Sequence, residues 1–539
     1  MLSRCFQIVT LVTLAVIHHC TCANVLMITM GGTKSHKIPF WELARGLIPR
    51  GHNITFINAF PSDFYLEGLE EITPSSYVVY VRNFTNWDLV GARIKGEEPV
   101  PFVDMIKFGY EACDVLLSDP ETKEFLRSGL KFDLLVLDGA YPECAMGFVH
   151  FYGAPFIYIN TVGMYMGSLS TAGNPTLYSV TPFLARPFSD TMNFIQRVLK
   201  TRTSNTFGFD IVQNFGFYMV ANIMHSVMTR GKLQDIVRQY FGPDVPGIYD
   251  MSRNVSFILQ NGHPVLTYPR PFLPNVAEIA CLHCKPAKKL PEHLENFIEG
   301  AGDAGFIYFS MGSSVKASNF PDYFRALLMI VFRNLPQRVL WKYEGDDLID
   351  LPSNVLLGKW LPQQDVLGHP KLKAFVTHGG LLSMFETVYH GVPVVSLPVF
   401  CDHDSNAAKA EADGYAIKLD LFTITPEGLL RAIKTVIRDP RYKTQVKHRQ
   451  KLLLDQSEIP LEKAVYWTEY VLRHKGAVHL QSPSRHMGVI DYYSLDVVVF
   501  LALVLIGIYY TTKKLLRLMR ILPKDEVSID LPRKSIKVE

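Results

Sequence analysis

The chain has 539 residues, more than one ordinary domain holds, so two to three folded units are expected. Hydrophobic residues make up 48% of it, which leaves ample material for cores. The net charge of +3 is unevenly spread: from Lys513 onward there are eight Lys/Arg against four Asp/Glu, so the bulk of the chain is slightly acidic and has no basic face for nucleic acid.

Residues 1–23 carry Arg4, a largely apolar run from Phe6 to Ile17, and the small residues Thr21, Cys22 and Ala23. This is the pattern of a signal peptide cleaved near Ala23; a signal-anchor is the rival, but the apolar run is short for a span. Asn24 to Met30 then has the composition of a buried strand. Gly31-Gly32-Thr33 follows, with a helical pattern from Pro39 that closes at Gly51 and a second strand around Ile54 to Ile57. That is a βαβ start. Its glycine loop lacks dinucleotide-fingerprint spacing, so a nicotinamide or flavin site is not supported.

His36 lies at the carboxyl end of the first strand, where ligands sit in such folds. A second apolar strand, Leu134 to Leu137, delivers Asp138 to the same edge, with Pro142 opening the next helix and Gly153 closing it. An imidazole can take a proton from a hydroxyl, and a carboxylate on its other nitrogen fixes the tautomer and stabilises the imidazolium. Read singly, His36 is better explained as a loop or capping residue and Asp138 as a turn former. From Val100 to Tyr240 Phe, Tyr and Met are frequent and irregularly spaced, which suits either a variable apolar pocket or ordinary helical core.

The junction from Tyr268 to Pro291 holds five prolines, and the βαβ pattern restarts after it. Residues 24–275 and 276–482 are therefore expected to form two doubly wound domains. Cys113, Cys144, Cys281, Cys284 and Cys401 remain after signal removal, an odd count that leaves at least one thiol free in an oxidising compartment. Cys281-Leu282-His283-Cys284 is compatible with half a zinc site, a redox pair or plain packing. No second ligand pair stands at suitable spacing, so no metal is expected. Asn53, Asn83 and Asn254 begin glycosylation sequons.

The densest chemistry lies between Trp360 and Asn406. Phe375-Val376-Thr377 is a short apolar strand that stops at His378-Gly379-Gly380, where the glycines allow backbone N–H groups to approach a ligand. Ser383 and Glu386 have capping-box spacing, with Gly391 at the helix C′ position, so a helix is expected to start near Ser383. Its N-terminus would seat a diphosphate, with His378 adding a donor. Glu386 can accept from a diol, Trp360 offers a flat face for a nucleobase, and Gln363 can donate and accept beside it. For any one of these residues alone the structural reading is the better one, a strand, turn and cap that close a helix end and do nothing more; it is their joint spacing that points to a site.

Val497 to Tyr510 is an uncharged run that its flanks extend to 492–512, about the ~20 residues that a bilayer needs. A buried core helix is the alternative. Lys513, Lys514, Arg517 and Arg520 form a basic collar, which places a tail of residues 513–539 in the cytosol and the bulk of the chain in the lumen. The ending Lys534 to Glu539 has a lysine at the distance of a dilysine retrieval signal without its usual partner spacing.

With Asp402-His403-Asp404-Ser405-Asn406 completing it, the segment from Phe375 to Asn406 resembles the signature of the UDP-glycosyltransferase family, in its animal, membrane-anchored, insect-like branch. The resemblance implies a GT-B arrangement: two Rossmann-type domains facing a cleft, plus a C-terminal transmembrane helix. It implies that Trp360, Gln363, His378, Gly380, Ser383 and Glu386 hold the uracil, ribose and phosphates, and that Asp402 and His403 contact the sugar. The family usually has Gln at the position of His403, and its vertebrate members commonly have Asn at that of Leu382. Pro269-Arg270-Pro271 and Phe309 to Ser313 also resemble family segments, which makes Arg270 and Ser313 candidates for phosphate contact. His36 and Asp138 match the catalytic pair.

The implied reaction is an inverting, metal-independent and cofactor-free transfer of a sugar to a hydroxyl or similar group of a small lipophilic acceptor, at the endoplasmic reticulum membrane. The donor co-substrate is a UDP-sugar, UDP-glucose by the insect likeness, and a homo-oligomer is favoured by the anchor. The rivals are a catalytically silent lumenal protein that binds nucleotide sugar, and a glycoside hydrolase, which needs a carboxylate pair that no Asp or Glu here offers by placement.

Overall fold

The structure is a computed structural model that describes residues 22–162, 167–177, 223–346 and 348–518. The apolar run of the expected signal peptide, residues 178–222 of the aromatic-rich stretch, and the tail from 519 with Arg520 and Lys534 to Glu539 lie outside the described residues. The described residues up to Arg485 belong to one compact unit and those from His486 to Leu518 to another.

In the first unit, short apolar runs form two wholly parallel sheets. The first sheet comprises β1 (Asn24–Ile28), β2 (Asn53–Ile57), β3 (Leu69–Ile72), β4 (Leu134–Asp138), β5 (Phe156–Asn160), β6 (Phe257–Gln260) and β7 (Val276–Glu278), in the order β3-β2-β1-β4-β5-β6-β7. The second comprises β8 (Phe306–Ser310), β9 (Arg338–Lys342), β10 (Val355–Gly358), β11 (Leu372–Thr377), β12 (Val394–Ser396) and β13 (Ala416–Lys418), in the order β10-β9-β8-β11-β12-β13. Central strands such as β4, β5 and β8 are buried at every residue, as a parallel sheet covered on both faces requires.

Each sheet carries a core on both faces. Beneath the first, Leu26, Leu135 and Tyr158 join one cluster while Val25, Val136 and Ile157 join another, the alternation expected of a pleated strand. Two boundaries differ from the sequence expectation. The first sheet runs past residue 275 because β7 pairs with β6. The helix Pro460–Arg473 returns to that sheet, burying Ala464, Val465 and Val471 in its core and stacking Trp467 on Phe257 at 4.6 Å. Its approach is close: a Cβ on Gly46, in the facing helix Lys34–Leu47, would lie 2.5 Å from a Val465 methyl.

The second unit contains the 24-residue helix Leu495–Leu518, whose most apolar 18-residue stretch has a mean hydropathy of 2.1 and buries nothing. It is long and apolar enough to cross a membrane. It continues past the expected end at 512 because Lys513, Lys514 and Arg517 are good helix formers that leave no stop signal.

Candidate active site

Both sheets reverse their strand order once, the first between β1 and β4 and the second between β8 and β11. At such a reversal the outgoing connections diverge and open a crevice beyond the carboxyl ends of the strands. The segments at the ends of these four strands carry His36, Asp138, Ser313 and His378.

On the first sheet, the helix Lys34–Leu47 starts upstream of Pro39, so His36 sits in its first turn and not in a free loop. Burial of Phe40, Leu43, Ala44 and Leu47 against the sheet outweighs the missing proline N–H. Gly32, at φ +72, leaves room for the imidazole: a Cβ there would lie 2.3 Å from the ring. Asp138 is the last residue of β4 and is 1% exposed. The helix after it begins at Met146, not at Pro142, because the intervening turn is spent on Cys144, which is bonded to Cys113.

The His36 imidazole is not directly hydrogen-bonded to Asp138. Its Nδ1 lies 3.8 Å from Asp138 Oδ2 and 2.7 Å from the Thr161 hydroxyl. Asp138 Oδ1 accepts from the Ala140 N–H at 3.0 Å, while Oδ2 is buried without a hydrogen bond. Thr161 was not singled out by sequence. It follows the last residue of β5, the parallel neighbour of β4, so the strand-end logic that exposes Asp138 also finds Thr161. Lys37 was missed as well. It is fully buried, its Nζ donates to the Gly31 carbonyl at 2.5 Å, and burial lowers its pKa to about 8 against the opposing charge of Asp138.

On the second sheet, the helix Leu381–His390 begins two residues before the expected start, with Gly380 as its N-cap and no side-chain cap. Ser383 and Glu386 therefore lie inside the helix and do not form a capping box. Their side chains receive Gln363 instead: its Nε2 donates to Ser383 Oγ at 2.9 Å and to Glu386 Oε2 at 2.5 Å. The end of the helix is as expected, with Gly391 left-handed at φ 69. Trp360 is 63% exposed and its ring faces two cations, Lys34 Nζ at 4.8 Å and Lys342 Nζ at 5.8 Å.

His378 and His403 are both buried, with ring centroids 4.4 Å apart in edge-to-face contact. Burial, with the charges of His403 and Lys342 adding, holds His378 well below the ordinary imidazole range. Burial and the Arg93 charge push His403 down to about 3. Both rings are thus neutral near pH 7, and they can offer N–H groups but no positive charge to a phosphate. The Phe400 N–H donates to His403 Nδ1 at 3.4 Å, which leaves the proton on Nε2. Asp402 is pushed up by burial, an effect that Asn406 and the His36 charge oppose; Asn406 Nδ2 donates to its Oδ2 at 2.8 Å.

The two sheets' rims meet here. The Thr33 and Ser313 hydroxyls are 3.2 Å apart, Arg93 lies 3.0 Å from Asp404, and Lys285 reaches Glu42 at 2.8 Å. A cavity of about 350 Å³ is lined from both sides by Thr33, Lys34, Ser313 and Lys316, among others. Arg93 has no sequence signal, since its role depends on the short helix Leu89–Ile94 packing Leu89 and Val90 into the second sheet's core. Arg270 lies over Phe272 at 5.8 Å and opposes the rise that partial burial gives the pKa of Glu278. Cys281 and Cys284 are joined as a disulfide, so their sulfurs are not free for zinc, and Cys401 keeps a free thiol that burial pushes up.

Residues 53–526 match the model of the family described as UDP-glucoronosyl and UDP-glucosyl transferase. The chain belongs to the UDP-glycosyltransferase family. It is 32% identical over 489 residues to UDP-glucosyltransferase 2 of Dactylopius coccus, covering 89% of this chain and 91% of that one. With human UDP-glucuronosyltransferase 2B15 it shares 35% over 509 residues, or 91% of this chain and 92% of the relative. In fold it is similar to a calicheamicin glycosyltransferase, with a TM-score of 0.53, 16% identity, and coverage of 84% of this chain and 99% of that one. This glycosyltransferase is accordingly an enzyme that moves a sugar from a UDP-sugar, and its two parallel sheets are those of a GT-B protein.

Within this UDP-glycosyltransferase, His378 is held between two glycines. A Cβ on Gly312, at φ +74, would lie 2.4 Å from its ring, and one on Gly380 would lie 2.5 Å from Nε2. Gly312→Val should therefore displace His378 and weaken UDP binding by at least about tenfold, read by calorimetry. Wild-type affinity in a folded variant would remove His378 from the binding surface.

Proposed function

We propose that this enzyme transfers glucose from UDP-glucose, with inversion and without a metal or other cofactor, to a hydroxyl of small lipophilic acceptors. The observation that carries the reading is the convergence of His36, with Thr161 and Asp138 behind it, and buried Asp402 on one crevice between the two strand-order reversals. With a proton on Nδ1 donated to Thr161, His36 Nε2 is free to take the acceptor's proton. The acceptor oxygen bonds to the sugar's anomeric carbon as the bond from that carbon to the β-phosphate oxygen breaks, and UDP departs with the electron pair. Attack from the side opposite the leaving group inverts the centre.

Asp138 stabilises the imidazolium. Asp402 and the Nε2–H of His403 hold the sugar hydroxyls. The backbone N–H groups opening the helix at Leu381, with Ser313 and His378, receive the diphosphate. Glu386 and Gln363 take the ribose, and Trp360 exchanges its lysine contacts for the uracil face. Arg270 is assigned to the phosphates at longer range. The half built on the first sheet, which includes β7 and the returning helix Pro460–Arg473, is assigned to the acceptor, and the half built on the second sheet to the donor. The apolar helix, and three sequon asparagines that are all exposed, support an anchored enzyme with its bulk in the lumen of the endoplasmic reticulum.

Incubation of the full-length enzyme with UDP-glucose, UDP-glucuronate and other UDP-sugars, against a panel of phenols and steroids, tests the reading. UDP release with a glucose conjugate by mass is expected. A conjugate of another sugar overturns the donor assignment, and binding without turnover favours the silent rival.

A further inference from the structure

We infer that His283 is a positioning residue for Glu386, fixing the carboxylate that the reading above, on which this inference rests, assigns to the ribose. His283 is 2% exposed, and neither of its ring nitrogens has a hydrogen-bond partner. Its Nε2 lies 3.5 Å from Glu386 Oε1. The other oxygen of the same carboxylate accepts from Gln363 at 2.5 Å. Glu386 is thus flanked by a nitrogen on each side, and its remaining lone pairs are left for a diol. A buried imidazole nitrogen without a partner is costly, so the nearby carboxylate is its natural acceptor.

The backbone around His283 is built to hold it there. Cys281, at φ 67, and Cys284, three positions apart, close a disulfide loop around Leu282 and His283. The His283 carbonyl accepts from Gln364 Nε2 at 3.0 Å, and Gln364 Oε1 accepts from the Lys285 N–H at 2.6 Å. Gln364 is the neighbour of Gln363 on the short helix Gln363–Leu367, so both groups that grip Glu386 are tied to one element. The Cys-Leu-His-Cys sequence, which invites a zinc or redox reading, is explained here as a rigid mount for its histidine.

The experiment compares His283→Leu, His283→Gln and Glu386→Gln in the full-length enzyme, by UDP affinity in calorimetry and by donor KM and kcat. His283→Leu should weaken UDP binding and raise donor KM about tenfold, with kcat within about twofold. His283→Gln, which keeps an N–H donor, should restore most of the affinity. In the Glu386→Gln background, His283→Leu should add less than about twofold, because the contact is already lost. Wild-type UDP affinity in His283→Leu, while Glu386→Gln binds weakly, overturns the inference and leaves the donor site standing. Wild-type affinity in Glu386→Gln overturns both. An equal loss of kcat and thermal stability in both His283 variants assigns the residue to packing and overturns it too.

Discussion

His36→Ala is expected to lower turnover by about 10³-fold while UDP binding persists. A positioned general base contributes typically ~10²–10⁴, and here little else can replace it. Thr161 and Asp138 are the polar groups beside the ring; the hydroxyl is too weak a base, and the Asp138 carboxylate is 1% exposed, behind the ring, with Oδ1 accepting from the Ala140 N–H. The Gln363, Ser383 and Glu386 contacts and the glycines around His378 all lie on the second sheet's side, so they survive the substitution. The check is UDP release by the purified variant beside a calorimetric titration with UDP. Retained turnover would sink the assignment of the base; loss of both activities would show instead that His36 supports the donor side through Asp402.

The parallel strands and the two Rossmann-type halves were legible because each central strand is an apolar run bounded by glycine or proline, as at Leu134 to Asp138 and Phe375 to Gly380. Strand ends could be located, and with them His36, Asp138 and His378. What could not be read was how side chains use the ends. Ser383 and Glu386 have capping-box spacing, yet the helix starts at Leu381 because Gly380 is the N-cap, and Gln363 takes both side chains. Strand ends pair His36 with Asp138, whereas the hydroxyl of Thr161, one strand further along, lies closer. Arg93 and Lys285 act through contacts between distant segments, to Asp404 and Glu42, which no local pattern encodes. The return of the helix Pro460–Arg473 to the first sheet is non-local in the same way.

Asp138→Asn should lower kcat by about 10²–10³, and Thr161→Val by no more than about tenfold, although Thr161 is the nearer neighbour of His36. The distances alone suggest the reverse, but the two groups act by different physics. The hydroxyl makes one hydrogen bond at 2.7 Å, with a net worth of about 0.5–1.5 kcal/mol. The carboxylate, at 3.8 Å and 1% exposed, acts on the positive charge that appears on the ring only when the proton arrives. Two unit charges ~4 Å apart at an effective dielectric of ~20 interact by about 4 kcal/mol, or roughly 10³ in rate. Because that interaction is absent in the neutral ground state, it falls on kcat and leaves acceptor KM nearly unchanged. Asp138 also offsets the buried Lys37 charge, so thermal unfolding must be followed alongside the kinetics. A folded Asp138→Asn enzyme with near-normal kcat, beside a Thr161→Val enzyme that is strongly impaired, would transfer the orienting role to Thr161. It would make the catalytic unit a His–Thr pair with Asp138 serving only Lys37 and the Ala140 turn.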